Sequence, residues 1–431
     1  MREFWSTIVG GRGTVREGPG YRTILDLGTE QIKALVLEQG EDEALVVGVG
    51  RARHHQGWGG TGAVVDIPTM ARSCDQALRQ AEDMTAEICG TQVVPDWVVV
   101  GLPNSLTVAQ GFAVTHHRSS PAERIGDKEL GGVVQRAQRL ALGQVCRKIQ
   151  RVEGSHEAKV ELLESAVTDM RVDGHSVTNP LGFRGQKLTV AVLNVVVSSS
   201  YLRAIEAVTK DLGLEVLGKV SGWQALAYML GEREGICIDV GGKATDIVLV
   251  RNGKAWATAS LPLGGSSFTK HVAETFGLSW RDAESLKLAY TPGTTKGSSE
   301  TEMSEAIGRV MRAWLGGVEM ALKRLSGSDP VPHQFNLCGG GSSLPGMVEA
   351  MRSHPWTRAL SFRRHPQVRL LQPGEVSGVL DRTGWLRGRR DVASLALAGY
   401  TMAGDAEEDS LECLLWRVKR PGIFGNTEGK A

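Results

Sequence analysis

The sequence predicts an α/β protein of two lobes, each built around a strand–turn–strand unit, and three stretches carry that expectation. In the first, the apolar run Ile236-Cys237-Ile238 ends in Asp239, turns over Gly241-Gly242, and leaves through Ile247-Val248-Leu249-Val250. In the second, Ile24-Leu25 ends in Asp26, turns at Gly28-Thr29, and leaves through Ile32 to Leu37. Short apolar runs bounded by glycine read as buried strands, and two joined by so tight a turn read as a hairpin. The third, Phe335-Asn336-Leu337-Cys338-Gly339-Gly340-Gly341-Ser342, is a strand feeding a glycine-rich turn and a helix start.

Glycines in such turns let the backbone approach a bulky anion and aim its N–H groups at phosphate oxygens. Asp239 and Asp246 flank the Gly241-Gly242 turn, where carboxylates can hold a hydrated magnesium ion. One such hairpin is more commonly an ordinary turn. Two of them, followed in order by the glycine cluster, read as a duplicated core closing on one nucleotide.

Composition limits the alternatives. A chain of 431 residues is too long for one compact core and suits two lobes. A formal net charge of +1 argues against a broad nucleic-acid surface. The six cysteines, at 74, 89, 146, 237, 338 and 413, form no CxxC pair and read as small core residues of a reducing compartment. No apolar run reaches the roughly eighteen residues needed to span a bilayer. Residues 1–18 read as a loose extension without a signal-peptide core.

In order, strands are expected near 22–28, 33–38 and 44–49. A helix follows near 69–89, its stripe of Met70, Cys74, Ala77, Leu78, Ala81, Met84 and Ile88 at helical spacing. After a strand at 97–103 comes an inserted region, 104–186, with a helix opening near Ile125 and a strand-like run at 160–172, and it leads to the long strand Leu188–Val197. Helix 199–212, strand 214–220 and a crossing helix at Trp223–Leu230 lead to the second lobe. The division expected is a first lobe of 19–103, 187–231 and 386–404. The second lobe comprises 232–275 and 333–385, with a helical and strand subdomain at 276–332, and a linker and tail follow at 405–431. The His54-His55 and His116-His117 pairs lack ligand partners at metal spacing and read as solvated.

These motifs in this order resemble the actin-like ATPase superfamily, with its two phosphate motifs and adenosine motif. The extra material comes after the first helix and the next strand, since residues 50–68 are too few for a subdomain. That placement resembles the FtsA family of cell-division proteins and, more distantly, PilM of type IV pilus assembly. Gly62-Ala63-Val64-Val65-Asp66-Ile67 resembles the FtsA lead into the first helix. Asp173-Gly174 with Asn179-Pro180, Gly182 and Gly185 resembles its pattern closing the inserted subdomain. Gly264-Gly265-Ser266-Ser267-Phe268-Thr269, then Ala283-Glu284-Ser285-Leu286-Lys287, matches a further family run.

The resemblance implies an actin-like, ribonuclease H-like duplicated fold with ATP and Mg2+ in its cleft. It places Asp26 and Asp239 on the metal, with Asp246 beside them, and Gly28, Thr29, Gly241 and Gly242 along the phosphates. Thr245 and Ser342 join the same site, Glu284 and Lys287 flank the ribose and adenine, and Gly339, Gly340 and Gly341 pack on the adenosine. For Glu284 and Lys287 an exposed intrahelical ion pair is the competing account. One departure stands out: Lys243-Ala244 replace the third glycine and first threonine of the usual second motif. A positive φ at Lys243 would cost about 1 kcal/mol or more, whereas its ammonium could reach the phosphates. Binding of ATP with at most slow turnover is the expectation.

The tail is the second functional candidate. Leu411, Leu414, Leu415 and Val418 fall on one helical stripe beside Trp416, with Arg417, Lys419 and Arg420 crowding its end. An apolar stripe with a basic rim suits an anionic membrane surface, and a helix docked on the protein itself is the alternative. The FtsA resemblance implies a cell-division adaptor at the cytoplasmic face of the membrane, self-associating head to tail and binding the C-terminal peptide of FtsZ at the septum. A PilM-like scaffold or a small-molecule kinase of the superfamily are the rivals, and no motif marks the general base a kinase requires.

Overall fold

The structure, a computed structural model, describes residues 20–40, 43–53, 66–153, 159–231, 233–251, 253–290, 298–327 and 329–406. The tail residues Leu411, Leu414, Leu415, Trp416, Arg417, Val418, Lys419 and Arg420, residues 1–18 and the Gly62–Val65 lead lie outside them.

Strands β1 (Tyr21–Leu27), β2 (Gln31–Gln39) and β3 (Ala44–Arg53) form the expected antiparallel meander. Helix α1 (Ile67–Cys89) starts with a proline in its first turn and ends at Gly90, whose φ of 75° turns the chain away. It buries Met70, Cys74, Ala77, Leu78 and Ala81 of the predicted stripe against the sheet. Strand β4 (Trp97–Leu102) then pairs parallel with β1.

The insert is β5 (Thr107–His117), α2 (Asp127–Glu153), β6 (Val160–Val172), β7 (His175–Ser176) and β8 (Lys187–Ser198), with strand order β5-β8-β6-β7. Leu130, Val133, Val134, Ala137 and Ala141 of α2 pack on Val190 and Val192 of β8, giving the insert its own core. The predicted Asp173-Gly174 turn has a physical cause. Asp173, at φ 50°, accepts the amides of Gln186 and Lys187 on one carboxylate oxygen at 2.8 and 2.7 Å.

Helix α3 (Ser199–Asp211) and β9 (Glu215–Ser221) complete the first sheet, and α4 (Gly222–Tyr228) crosses over. The second lobe contains β10 (Gly235–Val240), β11 (Thr245–Arg251), β12 (Lys254–Leu261), α5 (Gly265–Phe276), α6 (Trp280–Ala289) and α7 (Ser298–Ser326). Then come β13 (Gln334–Cys338), α8 (Met347–Ser353), β14 (Gln367–Leu370), β15 (Val379–Asp381) and α9 (Val392–Ala406).

The sheets share one plan: order β3-β2-β1-β4-β9 in the first and β12-β11-β10-β13-β14 in the second. Three points differ from expectation. Strand β8 pairs with both β5 and β6, so the insert's sheet runs to Ser198 instead of ending at 186. β15 pairs parallel with β3, so the chain rejoins the first sheet before residue 386; three residues are too short a run to show periodicity. The described part of 276–332 contains helices and no strand element, because α7 keeps its apolar face, Met303, Ile307, Met311, Trp314 and Val318, on the second-lobe core. Among the described residues no helix is long and apolar enough to cross a membrane.

Candidate functional site

The two sheets present their hairpin turns to each other. A Cβ added to Gly242 would lie 2.7 Å from Cβ of Glu30, so the second turn rests against the first. Within the second turn, Gly241 N–H donates to Ala244 O at 2.9 Å and leaves Gly242 and Lys243 at the tip. The first amides of α5, at Gly265 and Ser266, donate to Gly241 O and Gly242 O at 2.9 and 2.8 Å. The tip is thereby fixed before any ligand arrives.

Lys243 carries no left-handed strain, since Asp173 is the one described non-glycine residue at positive φ. The anticipated cost is absent because this turn places no positive φ at its second tip residue. Lys243→Gly is therefore expected to destabilise slightly, by less than about 1 kcal/mol, through added freedom of the unfolded chain. Thermal denaturation showing a gain in stability instead would mean that the lysine is strained.

The hairpins match position for position. Asp239 lies opposite Asp246 in register, and Asp26 lies opposite Lys33. Asp26 accepts a hydrogen bond from Ser394 Oγ at 2.6 Å. Lys33 donates to Arg390 O, to Ser394 Oγ at 3.2 Å, and sits 3.8 Å from Asp391. The first hairpin's charges are thus tied to the start of α9, some 360 residues along the chain. No periodicity announces such a contact. Gly28 and Thr29 occupy the first turn, half-buried.

Asp239 and Asp246 are half-buried at the floor of the crevice, hemmed in by protein atoms. Burial, then the charge of Asp246, pushes the Asp239 carboxyl up to about 7, with Lys33 pulling down and Asp26 adding to the rise. Burial pushes Asp246 up to about 6 against the side chains of Ser260 and Asn104. Two carboxylates that resist ionising together call for a cation. Asp246 Oδ1 is buried without a hydrogen-bond partner. Among the described residues no three carboxylate, histidine or cysteine side chains form a direct cage. Magnesium keeps several waters and takes one or two carboxylates plus phosphate oxygens, so Asp239 and Asp246, with Asp26 alongside, fit a hydrated ion carried by ATP.

The Gly339–Ser342 turn is built from constraints on glycine. Gly339 has φ 83° and ψ 161°, and a Cβ there would lie 2.1 Å from Asp239 Oδ1 and 2.6 Å from Val240 O. Its amide donates to Arg389 O at 3.1 Å, and buried Ser342 donates from Oγ to Gly339 O at 2.7 Å. Gly340 and Gly341 follow in the same turn, where Gly341 packs on Val240. An open depression of about 400 Å³ adjoins it, lined by Ser342, Ser343, Leu344, Glu349, Arg352 and Arg389 among others.

Glu284 and Lys287 form an ion pair of 2.8 Å, but not an exposed one. Lys287 is buried and also donates to Thr269 Oγ1 at 2.9 Å and Gly265 O at 3.2 Å, while Thr269 donates to Glu284. The pair fastens α6 to the first turn of α5, which in turn holds Gly241. Thr245 is spent on structure: its hydroxyl donates to Leu263 O at 2.6 Å and accepts from Trp314 Nε1 at 2.8 Å. Sequence reading missed Asn104, Ser394 and Arg389–Asp391, all of which reach the crevice from elements remote in the chain.

Comparison with known proteins agrees with this geometry. The family model described as cell division protein FtsA matches residues 236–387. The chain is 28% identical over 356 residues to cell division protein FtsA of Streptococcus pneumoniae, covering 77% of this chain and 72% of that one. It is 27% identical over 391 residues to the Pseudomonas aeruginosa protein of the same name, covering 83% and 84%. Among solved structures, a PilM–PilN type IV pilus biogenesis complex superposes with a TM-score of 0.60 at 18% identity, over 87% of this chain and 96% of that one. At that identity the likeness shows a shared fold. The sheets repeat one strand order, the insert follows β4, and relatives named cell division protein FtsA match most of the chain: it is similar to the FtsA proteins and shares its fold with the PilM structure.

Proposed function

We propose that this protein is a cell-division adaptor that binds ATP with Mg2+ between its lobes, self-associates, and tethers FtsZ to the inner face of the membrane. The observation that carries the nucleotide part is the meeting of the two hairpin turns, Gly28–Glu30 against Gly242, over the Asp239–Asp246 pair. Gly28, Thr29, Gly241 and Gly242 would line the phosphates, Lys243 at the tip would add charge, and Gly339 to Ser342 would support the nucleoside. The ion would supply charge neutralisation at the phosphates. ATP acts in this reading as a ligand that selects the closed arrangement of lobes. A head-to-tail contact between copies need not close into a ring and so gives filaments.

The membrane part rests on the stripe of Leu411, Leu414, Leu415 and Val418 with its basic rim. A chain ending at Ser410 is expected to lose co-sedimentation with anionic vesicles while keeping its ATP binding. Equal sedimentation of both forms would rule out the tail as the anchor and favour a PilM-like scaffold. Pull-down with the C-terminal peptide of FtsZ tests the partner directly.

A further inference from the structure

Asn104 sits just beyond β4, in the first lobe, and is buried. Its Nδ2 donates to Asp246 Oδ2 of the second lobe at 3.2 Å. A carboxylate only accepts, so the amide must turn its nitrogen toward Asp246 and keep its oxygen for something else. Asn104 Oδ1 and Asp246 Oδ1 are both buried and both without a hydrogen-bond partner. Leaving a buried acceptor unpaired forfeits the hydrogen bonds it had with water, and here two such oxygens belong to one hydrogen-bonded pair. The amide is also held in place: a Cβ on Gly222, where α4 begins, would lie 2.8 and 2.9 Å from Nδ2 and Oδ1. A larger residue at 222 would displace the amide.

We propose that Asn104 completes the cation site across the crevice, its Oδ1 and Asp246 Oδ1 together accepting hydrogen bonds from the waters of one hydrated Mg2+. Coordinated waters are strong donors, and both free groups are acceptors. Asn104 is then a positioning residue: it touches the ion's waters rather than the ion, and it makes cation binding a property of both lobes together. The inference deepens the nucleotide reading, on which it rests for the source of the ion.

The test uses the full chain. ADP is titrated by calorimetry with Mg2+ and with EDTA, and melting is followed with and without Mg2+ alone. Wild type is expected to bind ADP more tightly with Mg2+. Asn104→Ala keeps the EDTA affinity and loses roughly tenfold of the Mg2+ gain, the usual scale for an outer-sphere partner. Gly222→Ala, which moves the amide without removing it, loses part of the same gain. Asn104→Asp faces Asp246 with a second carboxylate, so it melts lower than wild type without the ion and recovers more on adding it. A full Mg2+ gain in Asn104→Ala, or an Asn104→Asp melting deficit that Mg2+ leaves unchanged, would overturn the assignment. Wild type that binds no ADP in either condition defeats the nucleotide reading instead, and the melting comparison in Mg2+ alone still decides the role of Asn104.

Discussion

Gly339→Ala is expected to cost about 4 kcal/mol of stability and to abolish nucleotide binding. The backbone at φ 83°, ψ 161° lies in a region essentially confined to glycine, worth about 1–3 kcal/mol of strain for any other residue. The added methyl would also meet Asp239 Oδ1 at 2.1 Å and Val240 O at 2.6 Å. Neither neighbour can retreat cheaply. Val240 O belongs to the backbone at the end of β10, and Asp239 is hemmed in beside Asp246. Overpacking of this kind costs about 1–3 kcal/mol more. Chemical denaturation checks the first part and calorimetry with ATP the second. A variant as stable as wild type would mean that the turn can reopen, and with it that the Gly339 turn is not preformed.

Asp239→Asn is expected to do the opposite to stability while also removing Mg2+-dependent binding. The carboxyl is raised from 3.8 to about 7 in the folded protein. The folded state therefore holds its proton more tightly than the unfolded chain does. Stability contributed by that proton is complete below about pH 4 and is lost as pH rises toward 7. The full linkage value is about 4 kcal/mol, and solvent reaching a half-buried carboxylate trims it to about 2. An amide removes the penalty, so the variant should outlast wild type at pH 8 by about 2 kcal/mol and match it at pH 4. Wild type itself should gain most from Mg2+ and ATP above pH 7, where the carboxylates repel. Denaturation at the two pH values, with and without the ligands, reads all of this. A variant less stable than wild type at pH 8 would show that the carboxylate is already compensated.

The hairpins were legible because their cause is local. Apolar runs ending in Asp26 and Asp239, then glycine, dictate strand and turn without help from the rest of the chain. The stripe on α1 and the Asp173-Gly174 turn were legible for the same reason. What escaped was whatever depends on distant segments arriving together. Nothing near Asn104 says that it will meet Asp246, and nothing near Ser394 says that it will meet Asp26. Thr245 carries a hydroxyl next to a phosphate-type turn, yet the indole of Trp314 claims it from the core. The Glu284–Lys287 spacing was right for a pair, but only packing against Thr269 could show that it is buried. β15 escaped through brevity, since it exists only because β3 offers it an edge.

Strand β8 has a further implication. Val190 and Val192 sit in the core of the insert, whereas Leu193, Val195 and Val197 sit in the main core beneath it. Side chains alternate along a strand, so one face of β8 closes the core of the insert and the other closes the main core. Exchanging residues 104–186 between relatives would part β5 and β6 from β8, the strand that both of them pair with, so a working graft must carry the chain through Ser198 as well.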